Sequence, residues 1–486
     1  MIEISQSTYL AGQWRTGEGA RPLTPRNPAT AAQDFEIAAS SVGQVDEAVA
    51  AARAAFGSSA WRAFGPAQRS RVLYELADAL EKNAENLAML VVDEVGTPVS
   101  LARGMQLPGP IEVFRWYAEA ALRGPNGHYE QPLPRYDHPV PSQSLLLREP
   151  VGVVGAMTAY NYPINLIAWK LGGALASGCT TVLLPSPRAS VTTIRVFELI
   201  SALGLPPGVV NLVIGEAEIG AALASHPGLD LLTFTGSDAT GEKVMAQAAA
   251  HITRTVLELG GKAANIILPG AALDTGVPQA VGRFCRNAGQ GCGAWTRMLV
   301  PRPMMAEFLA ATTRFLREDV VVGDPRDEKT MVGPLISAEH RDFVERQVAD
   351  AVARGARIAA GGGRPAGERG YYLNPVLLAD LAPDDPICDT ELFAPVAVVL
   401  AYDSAADAIA IANHSRYGLN ANITGETEQA LELARQLRVG TVTINNGSGM
   451  RPDAPWGGYG RSGIGRELGE DGFSEFFETK HIQWAI

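Results

Sequence analysis

The stretch Asn287-Ala-Gly-Gln-Gly-Cys-Gly-Ala294 sets one cysteine among residues with almost no side chain. Glycines at 289, 291 and 293 leave both the sulfur and the backbone amide of Cys292 open to a substrate, which suits covalent catalysis with a local oxyanion site. A free thiol ionises near pH ~8.5, so a nucleophilic Cys292 is expected to need N–H dipoles or cations nearby to raise its thiolate fraction. The plain alternative is an inert packed cysteine. Upstream, Glu258 ends an apolar run in LELGGK (257–262), a place where a carboxylate is rarely surface decoration. It is either a base or an ion-pair partner at a helix terminus beside Lys262. Cys179, Cys285 and Cys388 form no CxxC pair with each other or with Cys292, and no histidine cluster accompanies them, so neither a metal site nor a disulfide framework is expected.

Two glycine patterns compete for a phosphate-binding role. Gly458-Tyr-Gly460-Arg-Ser-Gly463 fits GxGxxG, yet it follows APWG instead of an apolar strand and no βαβ unit lies downstream, so it reads as a loop. FTGSDATG (234–241) follows the strand-like LDLLTF and opens a helix, where free N–H groups attract phosphate. A tight turn with a capping Ser237 would look the same.

The elements that must hold these residues follow from size and pattern. A chain of 486 residues is too long for one core and suggests two or three domains. With 47% hydrophobic and 19% charged residues it is folded, and a net charge of -12 without a basic run excludes nucleic acid and an anionic membrane as partners. No signal peptide is read at the start, and the apolar stretch 151–169 is interrupted by Asn161, Pro163 and Asn165, so a soluble, cytoplasmic protein without a membrane span is expected. Helical spacing predicts amphipathic helices over 45–56 and 66–95. The segment 124–144, rich in proline and polar residues, is an exposed linker or an arm. From Arg148 onward VGVVGAM, TTVLL, VVNLVIG and LDLLTFTG alternate with helices, which predicts a parallel, doubly wound α/β sheet. A second alternating block runs from Glu258 through ANIILP and a helix over 337–354, with Ser337 as N-cap and Gly355 as stop, to VGTVTINN (439–446). A short strand is expected after about residue 470.

These motifs, together with EPVGVVGAMTAYNYPINLIAWKLGGALASGCTTVLLPSP (149–187), ELFAPV (391–396) and PWGGYGRSGIGRE (455–467), resemble in order and spacing the NAD(P)-dependent aldehyde dehydrogenase superfamily over nearly the whole chain. The resemblance implies a Rossmann-like cofactor domain (1–123 and 147–257), a second α/β catalytic domain (258–469) and a small β oligomerisation arm (124–146 and 470–486). It implies an aldehyde oxidised to its acid: Cys292 as nucleophile, Asn161 with the Cys292 N–H as oxyanion donors, Glu258 as base for deacylation, and Lys170 near the proton path. Glu258 places the chain in the hydrolytic branch, away from the coenzyme A-acylating one. Tyr160, Ser186, Gly215, Phe234, Gly236, Ser237, Leu259, Glu391 and Phe393 would hold the dinucleotide.

The chain departs from the family at the adenosine end, where Leu184-Pro-Ser186-Pro187 replaces KPSE. With the glutamate gone and Arg188 beside it, NADP stays open beside NAD, which base rate favours. Tyr162, Leu166, Trp169, Met450 and Trp456 would line the substrate tunnel, predicting an apolar or aromatic aldehyde. Arg286 near the thiol disfavours a cationic, betaine-type substrate, and Arg451 offers a hold on a carboxylate-bearing semialdehyde. A homodimer or homotetramer is implied. The rival readings are a non-redox binding or structural protein of the same fold, and a cysteine esterase or thioesterase that uses no cofactor.

Overall fold

The computed structural model describes residues 2–367 and 369–486. The Val42–Gly57 helix opens on a capping box in which Ser41 and Gln44 satisfy each other's backbone N–H groups. It buries Val45, Ala48, Val49, Ala52 and Ala55, the helical face its spacing predicts. The helix expected over 66–95 is two, Pro66–Lys82 and Ala84–Val95. Between them Asn83 leaves helical geometry and turns its amide onto the Ala79 carbonyl, the local competition that makes asparagine a helix breaker. A further helix, Pro108–Arg123, packs on Pro66–Lys82 and buries Phe114 and Tyr117.

Eight strands form the first large sheet, in the order Gly463–Ile464, Arg254–Glu258, Leu231–Thr235, Val153–Thr158, Thr180–Pro185, Val210–Leu212, Gln6–Leu10, Gln13–Thr16. The five from Arg254–Glu258 to Val210–Leu212 are parallel, and the flanking strands are antiparallel. From Val153–Thr158 the chain first builds outward through Thr180–Pro185 and Val210–Leu212, then returns to add Leu231–Thr235 on the other side. Ligands of open α/β sheets bind at such a reversal, beyond the carboxyl ends of the strands. The rejected GxGxxG segment contributes no phosphate turn: Gly463 pairs with Glu258 at the sheet edge, where an added Cβ would lie 1.8 Å from the Leu257 carbonyl oxygen. Residues 463–464 thus belong to the first sheet although they follow the second in sequence.

The second large sheet runs Arg357–Gly361, Val376–Ala379, Val396–Tyr402, Trp295–Pro301, Ala263–Ile267, Asn420–Thr424, Thr441–Ile444, parallel except for the first. The first sheet buries an apolar cluster on each face, and the second has its own core. The Ala338–Ala353 helix starts at Ser337, whose hydroxyl accepts from the His340 N–H. A third sheet joins Glu130–Tyr136, Ser142–Pro150 and Phe477–Ala485. The 124–144 segment is therefore an arm with strands, and its second strand runs on to Pro150. The terminal strand is long instead of short, because its register with Ser142–Pro150 continues from Phe477 to Ala485. No helix among the described residues is long and apolar enough to cross a membrane.

Candidate active site

A cleft of about 1300 Å³ opens at the carboxyl ends of the first sheet and reaches the segment that carries Cys292. Its wall includes Asn161, Glu258 and Cys292, together with Tyr160, Ser186, Gly215, Phe234, Gly236, Ser237, Leu259, Glu391 and Phe393, which the resemblance assigns to a cofactor limb, and Tyr162, Leu166, Trp169, Met450 and Trp456, which it assigns to a substrate limb. Of the four residues given catalytic roles by resemblance, only Lys170 lies behind the wall.

The turn before Cys292 is tightly held. After the Leu273–Cys285 helix ends, Asn287 (φ 51°), Ala288 (φ 54°) and Gly289 (φ 71°) all adopt left-handed geometry, which costs an alanine about 1–2 kcal/mol. Gly289 is required there, since a Cβ would sit 2.1 Å from the Ala394 carbonyl carbon. Gln290, buried and given no role by the sequence, locks the turn. Its Oε1 accepts from the Tyr160 hydroxyl (3.0 Å) and the Ile336 N–H (2.9 Å), and its Nε2 donates to the Asn287 and Pro334 carbonyls. Its own carbonyl accepts from Asn161 Nδ2 at 3.0 Å, which fixes the carboxamide beside the thiol and leaves that amide a second N–H to give. Asn161 is thus no simple loop cap. The only outward signal for Gln290 is its place in the glycine run, because its partners lie far away in sequence.

Cys292 is half-buried, while Cys179, Cys285 and Cys388 are buried. Of the N–H dipoles or cations that a thiolate would need, the Gly293 N–H is present, but it is outweighed. Burial pushes the thiol well above its ordinary range, and the Glu258 and Glu391 carboxylates push it further; the Gly293 N–H alone works the other way. Burial and the neighbouring carboxylates therefore favour the protonated form of the resting thiol. Glu258 ends the Arg254–Glu258 strand and accepts from Trp456 Nε1 at 3.1 Å. Burial, then the nearby Glu467 carboxylate, lift it to about 8. It is no helix terminus, and no ion pair joins it to Lys262 among the described residues.

Behind Glu258, Lys170 donates to Glu467 Oε1 (2.5 Å) and to Thr233 Oγ1 (2.9 Å). The second oxygen of Glu467 is buried and unpartnered among the described residues. A carboxylate with a spare acceptor beside a raised carboxyl is a natural relay for a proton. The sequence reading quoted Glu467 as the last letter of a motif but gave it no task.

The other limb fits a dinucleotide. Ser237 caps the twelve-residue Asp238–Ala249 helix, accepting from the Thr240 N–H, and the helix start faces the cleft with its dipole favouring phosphate. Ser237 is thus the cap that the sequence offered as the plain reading of FTGS. A Cβ on Gly236 would lie 2.3 Å from the Phe234 ring, which would have to shift to admit it. Glu391 accepts from the Gly261 N–H at 2.9 Å, and burial raises it to about 7. Phe393, itself in left-handed geometry (φ 51°), stands edge-on to Tyr160 at 6.0 Å. Leu184 is buried, and Ser186 accepts from the Arg188 N–H.

On the substrate limb Trp169 and Trp456 stand 6.5 Å apart. Met105, Trp295, Arg283 and Arg286 complete the wall. Arg451 does not line it: it pairs bidentately with Asp453 at 2.9 and 2.7 Å, so the hold on a carboxylate expected of it is withdrawn.

The aldehyde dehydrogenase family model matches residues 14–482. The 3-succinoylsemialdehyde-pyridine dehydrogenase of a Pseudomonas species is 40% identical over 479 residues, spanning 98% of this chain and 97% of its own. Among solved structures, aldehyde dehydrogenase C of Pseudomonas syringae, complexed with NAD+ and octanal, is 36% identical with a TM-score of 0.93, covering 98% of this chain and 96% of that one. Betaine aldehyde dehydrogenase of Staphylococcus aureus, in complex with NAD+, is 34% identical with a TM-score of 0.94, covering 99% and 95%. Likeness in sequence and likeness in shape both run almost end to end and include this cleft: the chain belongs to the aldehyde dehydrogenase family.

Proposed function

We propose that the protein oxidises an aldehyde to its carboxylic acid with Cys292 as nucleophile and Glu258 as the base for both halves of the reaction. What supports this reading is that Cys292 and Glu258 line one cleft, with the thiol pushed toward its neutral form by burial and the Glu258 carboxylate, and with the buried Glu258 carboxyl raised to about 8. Glu258 takes the thiol proton as sulfur attacks the carbonyl, and the new oxyanion meets the free N–H of Asn161 and the backbone N–H of Cys292. Glu391 and Phe393 would hold a nicotinamide, which would supply the hydride acceptor when bound. The thioacyl-enzyme then waits for water, which Glu258 activates after handing its first proton toward Glu467 and Lys170. Lys170 and Glu467 touch no substrate; they hold the charge balance behind the base.

NAD is the proposed cofactor, supported by the NAD+ complexes of the related structures. Pro187 puts no carboxylate against a 2′-phosphate, so NADP is accommodated as the poorer partner. The tryptophans, Tyr162, Leu166 and Met450 suit an apolar or aromatic body next to the reacting carbon. The arm supports a homodimer or homotetramer: Phe477–Ala485 is an edge strand with Ile482 and Trp484 exposed. Four unpaired cysteines fit the reducing cytoplasm.

The test is direct. Purified protein is mixed with NAD or NADP and alkyl, aryl and carboxylated aldehydes while reduced-cofactor fluorescence is followed. Turnover with NAD and at least one aldehyde is expected. No reduction with any pair would sink the proposal and favour the non-redox or esterase readings.

A further inference from the structure

The turn that carries the nucleophile is fastened from outside on both sides. Gly291 and Gly293 leave Cys292 with neighbours that have no side chain to wedge them, so whatever fixes the turn must reach it from elsewhere in the fold. On the entry side Asn161 Nδ2 donates to the Gln290 carbonyl at 3.0 Å. On the exit side Asn420 Nδ2 donates to the Gly293 carbonyl at 3.2 Å, and between the two the Ala294 N–H closes on the Gly291 carbonyl at 3.1 Å. Cys292 thus occupies the second position of a turn flanked by two asparagine amides. The sequence reading gave Asn420 no role.

The segment that bears Asn420 approaches the nucleophile's own backbone closely. A Cβ added to Gly293 would lie 3.6 Å from Asn420 Nδ2 and 3.3 Å from the Trp456 ring, and one added to Gly261 would lie 2.7 Å from the Cys292 carbonyl oxygen and 3.3 Å from Leu419 Cβ. Asn420 itself opens the Asn420–Thr424 strand, which pairs with Ala263–Ile267 on one side and Thr441–Ile444 on the other. A turn poor in side chains is thereby tied to a strand inside the sheet, which holds position better than a loop does.

The use Asn420 makes of its amide argues against a packing role. It is 6% exposed, and its Oδ1 is buried with no partner among the described residues. A buried acceptor left unpaired costs stability, so an apolar side chain would serve the core better there. What the asparagine supplies is one aimed N–H.

Resting on the aldehyde-oxidising reading above, we infer that Asn420 is a positioning residue for the nucleophile: by holding the Gly293 carbonyl it keeps the Cys292 sulfur and backbone N–H aimed into the cleft while sulfur attacks. It acts through the turn, not on the substrate. Attack builds negative charge on an oxygen that needs the Cys292 N–H in place, so a turn free to swing loses both the approach of the sulfur and one of the two oxyanion donors.

The experiment records the single-turnover burst of reduced cofactor with NAD+ and an aldehyde that the wild type oxidises, for Asn420→Ala, Asn420→Asp and Asn420→Ser. Asn420→Asp keeps the shape and removes the donor at pH 8, and the serine hydroxyl is too short to reach Gly293. Each variant should slow the burst by about tenfold, while the NAD+ dissociation constant and the half-saturating aldehyde concentration stay within about twofold and the urea midpoint stays near that of the wild type. If Asn420→Ala does not fold, Asn420→Ser is read by the same split. A wild-type burst from Asn420→Ala and Asn420→Ser would overturn the inference and leave the aldehyde reading intact. So would burst, affinity and urea midpoint all falling together, the pattern of a residue that only supports the fold. No aldehyde oxidised by the wild type would instead overturn the reading on which the inference rests.

Discussion

At the scale of single residues the account turns on a proton passed from Cys292 to Glu258. Both groups are held in their neutral forms by burial and by neighbouring carboxylates. The working form of Glu258 is the deprotonated one, which is populated only as pH rises through about 8. Rate constants for acylation and deacylation are therefore expected to climb with a midpoint near pH 8 and to level above it; a profile that stays flat from about pH 6 to about pH 9 would contradict the assignment. Trp456 lowers the carboxyl by donating to it, so Trp456→Phe should move the rising limb to higher pH by about one unit, read from single-turnover rates. A limb that stays put would show that the indole N–H does not tune the base. Cys292 and Glu258 are legible in the sequence because each sits beside a run of glycines, whereas Asn161 is legible only through the family resemblance of AYNYP. Gln290 and Glu467 are not, since their work depends on Ile336, Tyr160 and Lys170, partners that no local pattern announces.

At the scale of elements, the parallel strands are legible as short Val, Leu and Ile runs between helices, because both faces of such a sheet are buried. The Pro108–Arg123 helix escapes notice, as Pro108, Gly109 and Pro110 at its start read as a breaker although proline is welcome in a first turn. The Gln6–Leu10 and Gln13–Thr16 hairpin escapes for another reason: its turn at Ala11 and Gly12 needs two positive φ values, which alanine does not advertise. One helix-to-helix joint carries a strong prediction. Glu94, buried near the end of Ala84–Val95, accepts the N–H groups of Val191 and Thr192 and the Thr192 hydroxyl at the start of Ser190–Ser201. Glu94→Ala strands those buried donors and should lower stability by about 2–4 kcal/mol, seen as an earlier urea midpoint. An unchanged midpoint would mean that solvent reaches the joint.

At the scale of the whole molecule, the arm is the part least able to stand alone. Its strand Phe477–Ala485 has one edge paired to Ser142–Pro150 and the other open, with Ile482, Trp484 and Ile486 exposed at 41, 46 and 55%. Such an edge is a template for a second chain. Trp484→Asp should reduce the mass seen by light scattering toward that of one protomer, while the wild type scatters as a dimer or tetramer. A wild-type monomer would contradict the proposed assembly. The arm is legible in sequence only as a non-helical, proline-rich interval, because its pairing joins residues far apart along the chain.

The most direct measurement of the central claim is a stopped-flow record of reduced cofactor with Cys292→Ala and Glu258→Gln beside the wild type. The account predicts no burst from Cys292→Ala, and from Glu258→Gln a slowed burst of about one equivalent per site with almost no turnover after it. Sustained turnover by Cys292→Ala, or wild-type steady-state turnover by Glu258→Gln, would contradict it.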